Sequence, residues 1–110
     1  MYARMIQVTT KPGQLRDCVN AFVERGLPLV KQQQGFVDAL ALASETERDR
    51  FVGLTIWKTK EDSERYVNGQ GRQFLESVKS YFQQEPTVSN FNLEASTTHN
   101  IGVARAASSR

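Results

Sequence analysis

One cysteine and one histidine stand in the whole sequence of 110 residues, and each scarcity removes a class of chemistry. With Cys18 alone, no intrachain disulfide and no thiolate metal cluster can form. With His99 alone, most zinc sites and most Ser-His or Cys-His nucleophile pairs are excluded. No cofactor or metal ion is expected. Long apolar runs are missing too. The opening MYARMIQV lacks the apolar core of a secretion signal, and nothing reaches the length of a membrane span. The expectation is a cytoplasmic protein with no membrane partner. Nor is there an excess of charge: 14 Lys and Arg face 12 Asp and Glu, for a net +2. That is not the basic footprint of a nucleic-acid binder.

What is present is periodic. Residues 3 to 9 alternate, with Arg4, Ile6 and Val8 on one side and Met5 and Gln7 on the other, the pattern of a strand. Lys11-Pro12-Gly13 breaks it. Leu15, Val19, Phe22, Val23, Leu27 and Val30 then recur at steps of three and four, an amphipathic helix with Cys18 beside its apolar stripe. Gly26 and Pro28 should kink or restart that helix. After Gly35, the stretch FVDALALAS reads as a second strand, with Phe36, Leu40 and Leu42 assigned to one face and Val37, Ala39, Ala41 and Ala43 to the other. A charged connection over residues 45 to 50 leads to a third strand, FVGLTIW, apolar on both faces. Thr59 can cap the following helix, with Asp62 three residues on and acidic side chains in the first turn. Gly69 and Gly71 interrupt that helix, and Phe74, Leu75, Val78, Tyr81 and Phe82 continue its stripe. Pro86 closes it, and residues 87 to 95 form a fourth strand.

The order β-α-β-β-α-β predicts an α+β, ferredoxin-like fold: one antiparallel sheet with the helices on one face. Residues 1–97 form the domain, and residues 98–110 are expected to be a flexible tail. The helices can cover only one sheet face, yet the second and third strands are apolar on two. A second copy packed through the same face is the simplest cover, so a homodimer is predicted.

A first strand closed by a KPG turn, Gly35-Phe36 opening the second strand, and Thr55-Ile56-Trp57-Lys58 leading into a helix together resemble the antibiotic biosynthesis monooxygenase family of dimeric α+β barrel proteins. The resemblance spans residues 3 to 95. It implies a pocket between sheet and helices whose wall includes Trp57, and a small aromatic or apolar ligand. Members include oxygenases that convert phenols, hydroquinones or anthrones to quinones without metal or flavin, haem-degrading enzymes, and proteins that isomerise signalling molecules. The haem-degrading members place an asparagine where this chain has Arg4 and need a histidine on the second helix, which residues 74 to 80 lack. The phenol-oxidising members carry an asparagine at the position of Gly53, and Tyr66 is a possible counterpart of their tyrosine.

Three candidate catalytic residues follow. Trp57 would be a rigid aromatic wall with one N–H donor. Tyr66 would donate to a substrate oxygen or act as acid and base. Arg4, on a partly buried strand, either pairs with Glu94 or Asp38 or holds a phenolate or carboxylate. Phe36, Phe74 and Val78 are the candidate substrate-binding residues, with core packing as their plainer role. The Gly69-Gln70-Gly71 stretch is either a hinge over the pocket or a simple helix break. The expected function is a cofactor-independent monooxygenase acting on a phenol or hydroquinone. The alternatives are a non-catalytic or stress-related dimer that binds a small molecule, and an isomerase of a small signalling compound.

Overall fold

The computed structural model describes residues 1–98, so the expected tail over 98–110 lies almost wholly outside the described residues, as does His99. Four strands form one antiparallel sheet in the order β2-β3-β1-β4: β1 Tyr2–Thr9, β2 Phe36–Ala43, β3 Arg50–Trp57 and β4 Thr87–Asn92. The first crossover carries α1 Leu15–Ala21, a π-helical turn Phe22–Gly26, and α2 Leu27–Lys31. The second carries α3 Lys60–Asn68 and α4 Gln70–Val78, followed by a short 3₁₀ turn Lys79–Tyr81. This is the predicted ferredoxin-like arrangement. Among the described residues, no helix is long and apolar enough to cross a membrane.

The register fixes which side chains share a face, because directly opposed residues in an antiparallel pair point the same way. Arg4, Ile6 and Val8 pair with Thr55, Gly53 and Phe51, and these six look toward the helices. Val8, Phe51, Cys18 and Val78 are fully buried there and form one core with Ile6, Ala21, Phe74 and Phe82. Phe22 ties that core together. Its ring centroid lies 4.8 Å from Phe51 and 5.1 Å from Phe74 in an edge-on contact. Each such aromatic pair adds about 0.5–1.5 kcal/mol to the burial of its area.

One face assignment made from strand alternation is corrected. A bulge between Phe36 and Asp38 inserts an extra residue, so Phe36 pairs with Trp57 while Asp38 pairs with Ile56. Phe36 therefore joins Ala39 and Ala41 on the helix side, and only Leu40 and Leu42 remain on the far face. An inserted residue reverses the alternation on one side of itself. Strand β4 also stops sooner than its pattern suggested. It pairs only with β1, and Tyr2 opposite Asn92 is where β1 runs out.

The helix breaks fall where glycine and proline predict. In the first arm the wider π turn absorbs the defect, and Pro28, which has no N–H to offer, falls in the opening turn of α2. In the second arm Thr59 Oγ1 accepts from the Asp62 N–H at 3.1 Å, the expected cap. Gly69 leaves helical geometry between α3 and α4.

Candidate functional site

Between the helix-facing side of the sheet and the two helical arms lies an apolar cavity of about 70 Å³. Small residues of the sheet make the room: Gly53, Ala39 and Ala41 form its floor. A side chain at Gly53 would crowd Ile6, whose Cγ2 would stand 3.1 Å from the added Cβ. Phe22, Gly26 and Val30 wall it on the first arm, Tyr66, Gly71 and Phe74 on the second.

Among the described residues, Arg4 is the only charged one lining this cavity; Thr55 and Tyr66 are its other polar side chains. Burial lowers the pKa of Arg4, and the nearby Tyr66 and Tyr2 phenols oppose that shift. Burial raises the Tyr66 phenol, with Arg4 pulling the other way. The phenol therefore stays protonated at neutral pH and remains a donor. Among the described residues Arg4 forms no salt bridge. Of the two expected partners, Glu94 lies beyond the end of β4, and Asp38 is on the other face of the sheet, where its carboxylate accepts from the Ala39 N–H at 2.8 Å. A guanidinium in an apolar cavity without a carboxylate favours an anionic ligand.

The structure brings together some of the residues singled out in the sequence and separates others. Arg4, Tyr66 and Phe74 line the cavity. Trp57 does not: it is fully buried behind the wall, wedged between Phe36 at 6.1 Å and Tyr66 at 5.4 Å between ring centroids. Its indole N–H donates to Thr55 Oγ1 at 2.9 Å. Phe36 packs on Trp57 rather than lining the cavity, and Val78 belongs to the fully buried core. Thr55 went unnoticed as a site residue. Its signal was the i, i+2 spacing to Trp57, which puts a lone hydroxyl on an otherwise apolar strand face.

The glycines of the interrupted second arm have a packing role at this site. A Cβ on Gly71 would meet the Tyr66 ring at 2.7 Å, so the missing side chain is what lets that ring lie over the cavity. The two arms are also joined by side chains. Gln33 donates to Gln70 at 2.7 Å, and Arg25 donates to Ser77 at 3.4 Å while lying 5.6 Å from the centroid of Phe74. Among the described residues no three His, Cys, Asp or Glu side chains gather in a way that could hold a metal ion.

A family model described as antibiotic biosynthesis monooxygenase matches residues 1–84. Among curated proteins, no sequence matches the chain. Among solved structures, a protein of unknown function from Nitrosomonas europaea superposes with a TM-score of 0.77 at 20% identity, over 87% of this chain and 91% of that one. A mutant of SnoaB, a cofactor-independent oxygenase from Streptomyces nogalater, gives 0.75 at 14% identity, over 87% and 95%. A monooxygenase from Streptomyces coelicolor in complex with nanaomycin D gives 0.74 at 12% identity, over 86% and 88%. At these identities the likeness is one of fold.

Proposed function

The chain belongs to the antibiotic biosynthesis monooxygenase family, and from that membership we propose that it is a cofactor-independent oxygenase of an electron-rich phenol or hydroquinone. The observation that carries this reading is the apolar cavity with Arg4 as its one charged lining residue among the described residues, beside Tyr66.

The chemistry follows from that pairing of features. An aromatic ring fits against Phe22, Phe74 and the small-residue floor, and its hydroxyl faces Arg4. At about 4 Å and an effective dielectric near 20, an ion pair contributes about 4 kcal/mol. Less the cost of removing water, that lowers a phenol's pKa by roughly two to three units, since each unit is about 1.4 kcal/mol. The phenolate is the reductant. It passes one electron to dioxygen, the two radicals join at a ring carbon, and loss of water leaves a quinone. One oxygen atom enters the product and the other leaves as water, so phenol plus O₂ balances quinone plus H₂O. Tyr66 donates to the developing oxyanion. The protein supplies position and a preorganised field.

A second copy is proposed to cover the far sheet face. Leu40, Leu42 and Phe91 lie there with 42%, 49% and 48% of their surface exposed, on strands at both edges of the sheet. A two-fold axis over that face would bury these patches against one another.

Oxygen uptake across a panel of hydroquinones, dihydroxynaphthalenes and anthrones tests the oxygenase reading. Uptake above the autoxidation rate, reduced at least tenfold in Arg4→Met, is the expected result. A second reading is favoured by one feature: among the described residues no His, Asp or Glu lines the cavity to accept the proton. If ligands bind with no uptake over the whole panel, the protein is a binding module, and a product isomeric with its substrate would instead identify an isomerase.

A further inference from the structure

We propose that the Thr55 hydroxyl is the donor that meets the substrate's phenolate oxygen, and that Trp57 is the positioning residue that aims it. The inference deepens the oxygenase reading and rests on the cavity being the substrate site.

An indole N–H can only donate, so the 2.9 Å bond from Trp57 Nε1 makes Thr55 Oγ1 the acceptor. The hydroxyl proton is thereby directed away from Trp57. Among the described residues it is donated to no protein group. Thr55 lines the cavity, and the proton is therefore available to a ligand there. A hydroxyl whose oxygen already accepts a bond is the better donor for it.

Register decides what stands beside that proton. Thr55 is the cross-strand partner of Arg4 on one side and of Ala39 on the other. Directly opposed residues hold their Cβ atoms about 4.5–5.5 Å apart. Arg4 and Thr55 thus present two donors to one volume, with a methyl group on the far flank. A single anionic oxygen with two lone pairs directed at the sheet answers both. Tyr66 approaches from the helix side and completes three donors around one site.

Trp57 holds this arrangement still. It has no exposed surface, and the rings of Phe36 and Tyr66 hem it in. Its N–H therefore has a fixed direction, and a β-branched Thr55 has few rotamers with which to answer it. Trp57 acts on the substrate through the hydroxyl, without touching it.

The test uses 4-nitrophenol under anaerobic conditions, since its absorbance distinguishes the ionised from the neutral form. The pH midpoint of the bound probe is measured in the full chain and in Thr55→Val, Thr55→Ser, Arg4→Met and Trp57→Phe. Thr55→Val removes a hydrogen bond to a charged group, so it should bind the anion about tenfold more weakly or worse and raise the midpoint by about one unit. Thr55→Ser should keep both values near those of the parent. Trp57→Phe should shift the midpoint part of the way, and adding it to Thr55→Val should change nothing more. Thr55→Val is close to isosteric, and its thermal unfolding checks that the cavity is intact. A midpoint unmoved in Thr55→Val but moved in Arg4→Met would overturn the proposal and leave the site standing. A midpoint moved in neither variant would overturn the site and the proposal together.

Discussion

A Cβ placed on Gly71 would stand 2.7 Å from Tyr66 Cε2 and 2.8 Å from the Tyr66 carbonyl oxygen. The two residues therefore share a volume that admits only one side chain. Gly71→Ala is expected to push the Tyr66 ring off its place beside Arg4 and to destabilise the fold by about 1–3 kcal/mol, the usual cost of overpacking. Chemical denaturation measures the stability term, and the midpoint of bound 4-nitrophenol reads the loss of Tyr66 from the site. Trimming the ring with Tyr66→Ala should make the added methyl cost less, a coupling that a double-mutant cycle detects. Equal costs in both backgrounds would mean the backbone oxygen alone carries the conflict.

Gly35 is the second position where no side chain fits. Its φ is +79°, and a Cβ would lie 2.0 Å from Asp62 Oδ2. Its carbonyl accepts the Lys58 N–H at 2.9 Å, which joins the start of β2 to the end of β3. Gly35→Ala should cost about 1–3 kcal/mol from the left-handed backbone alone, with displacement of Asp62 from its ion pair with Arg65 in addition. A loss larger than that of Gly13→Ala, where φ is +78° and no atom lies within 4 Å, isolates the contribution of the contact.

The far sheet face gives the assembly prediction. Leu42 is half exposed, lies opposite Val52, and takes no part in the cavity. Leu42→Glu should turn a dimer of the wild-type chain into a monomer by light scattering at micromolar concentration, with circular dichroism unchanged. A wild-type chain that is already monomeric under those conditions would remove the sheet-to-sheet dimer.

The succession of strands and helices along the chain, the helix cap at Thr59 and the restart near Pro28 were legible in the sequence because each rests on local chemistry: alternation, a hydroxyl at an N-terminus, a missing N–H. The alternation of β1 and β3 also grouped their side chains correctly, with Arg4 beside Ile6 and Val8, but it left open whether that face meets the helices or the far side; the register and the cavity place it toward the helices. Two further things were not legible. The bulge after Phe36 costs little locally and leaves no residue signature, yet it moves Phe36 across the sheet. The depth of Trp57 was hidden for a different reason. Strand period gives a face but not a distance from the helices, and here Tyr66 stands between the indole and the cavity. A residue that resembles a site residue by position was therefore read as the wall, when its neighbour two places earlier holds that place.

The pH dependence of stability follows from the buried groups. Burial pushes the Cys18 thiol from 9.0 up to about 11, and burial also raises the Tyr66 phenol. A raised pKa means that the folded chain keeps a proton which the unfolded chain has released. Stability from Cys18 is therefore complete below about pH 9 and is lost as pH climbs toward 11, by about 1.4 kcal/mol per unit inside that window, while that from Tyr66 is lost only above its ordinary 10. Burial lowers Arg4, which acts with the opposite sign in a window ending at the ordinary guanidinium value. Urea unfolding at pH 8, 9 and 10 should show falling stability in the parent and a shallower fall in Cys18→Ala. The absolute stability of that variant will be lower at every pH, because the thiol fills a closed site, but only the slope bears on the proton. Parallel slopes would mean that Cys18 releases its proton in the folded chain as readily as in the unfolded one, and the same protein would then react with a thiol reagent at pH 9 without unfolding first.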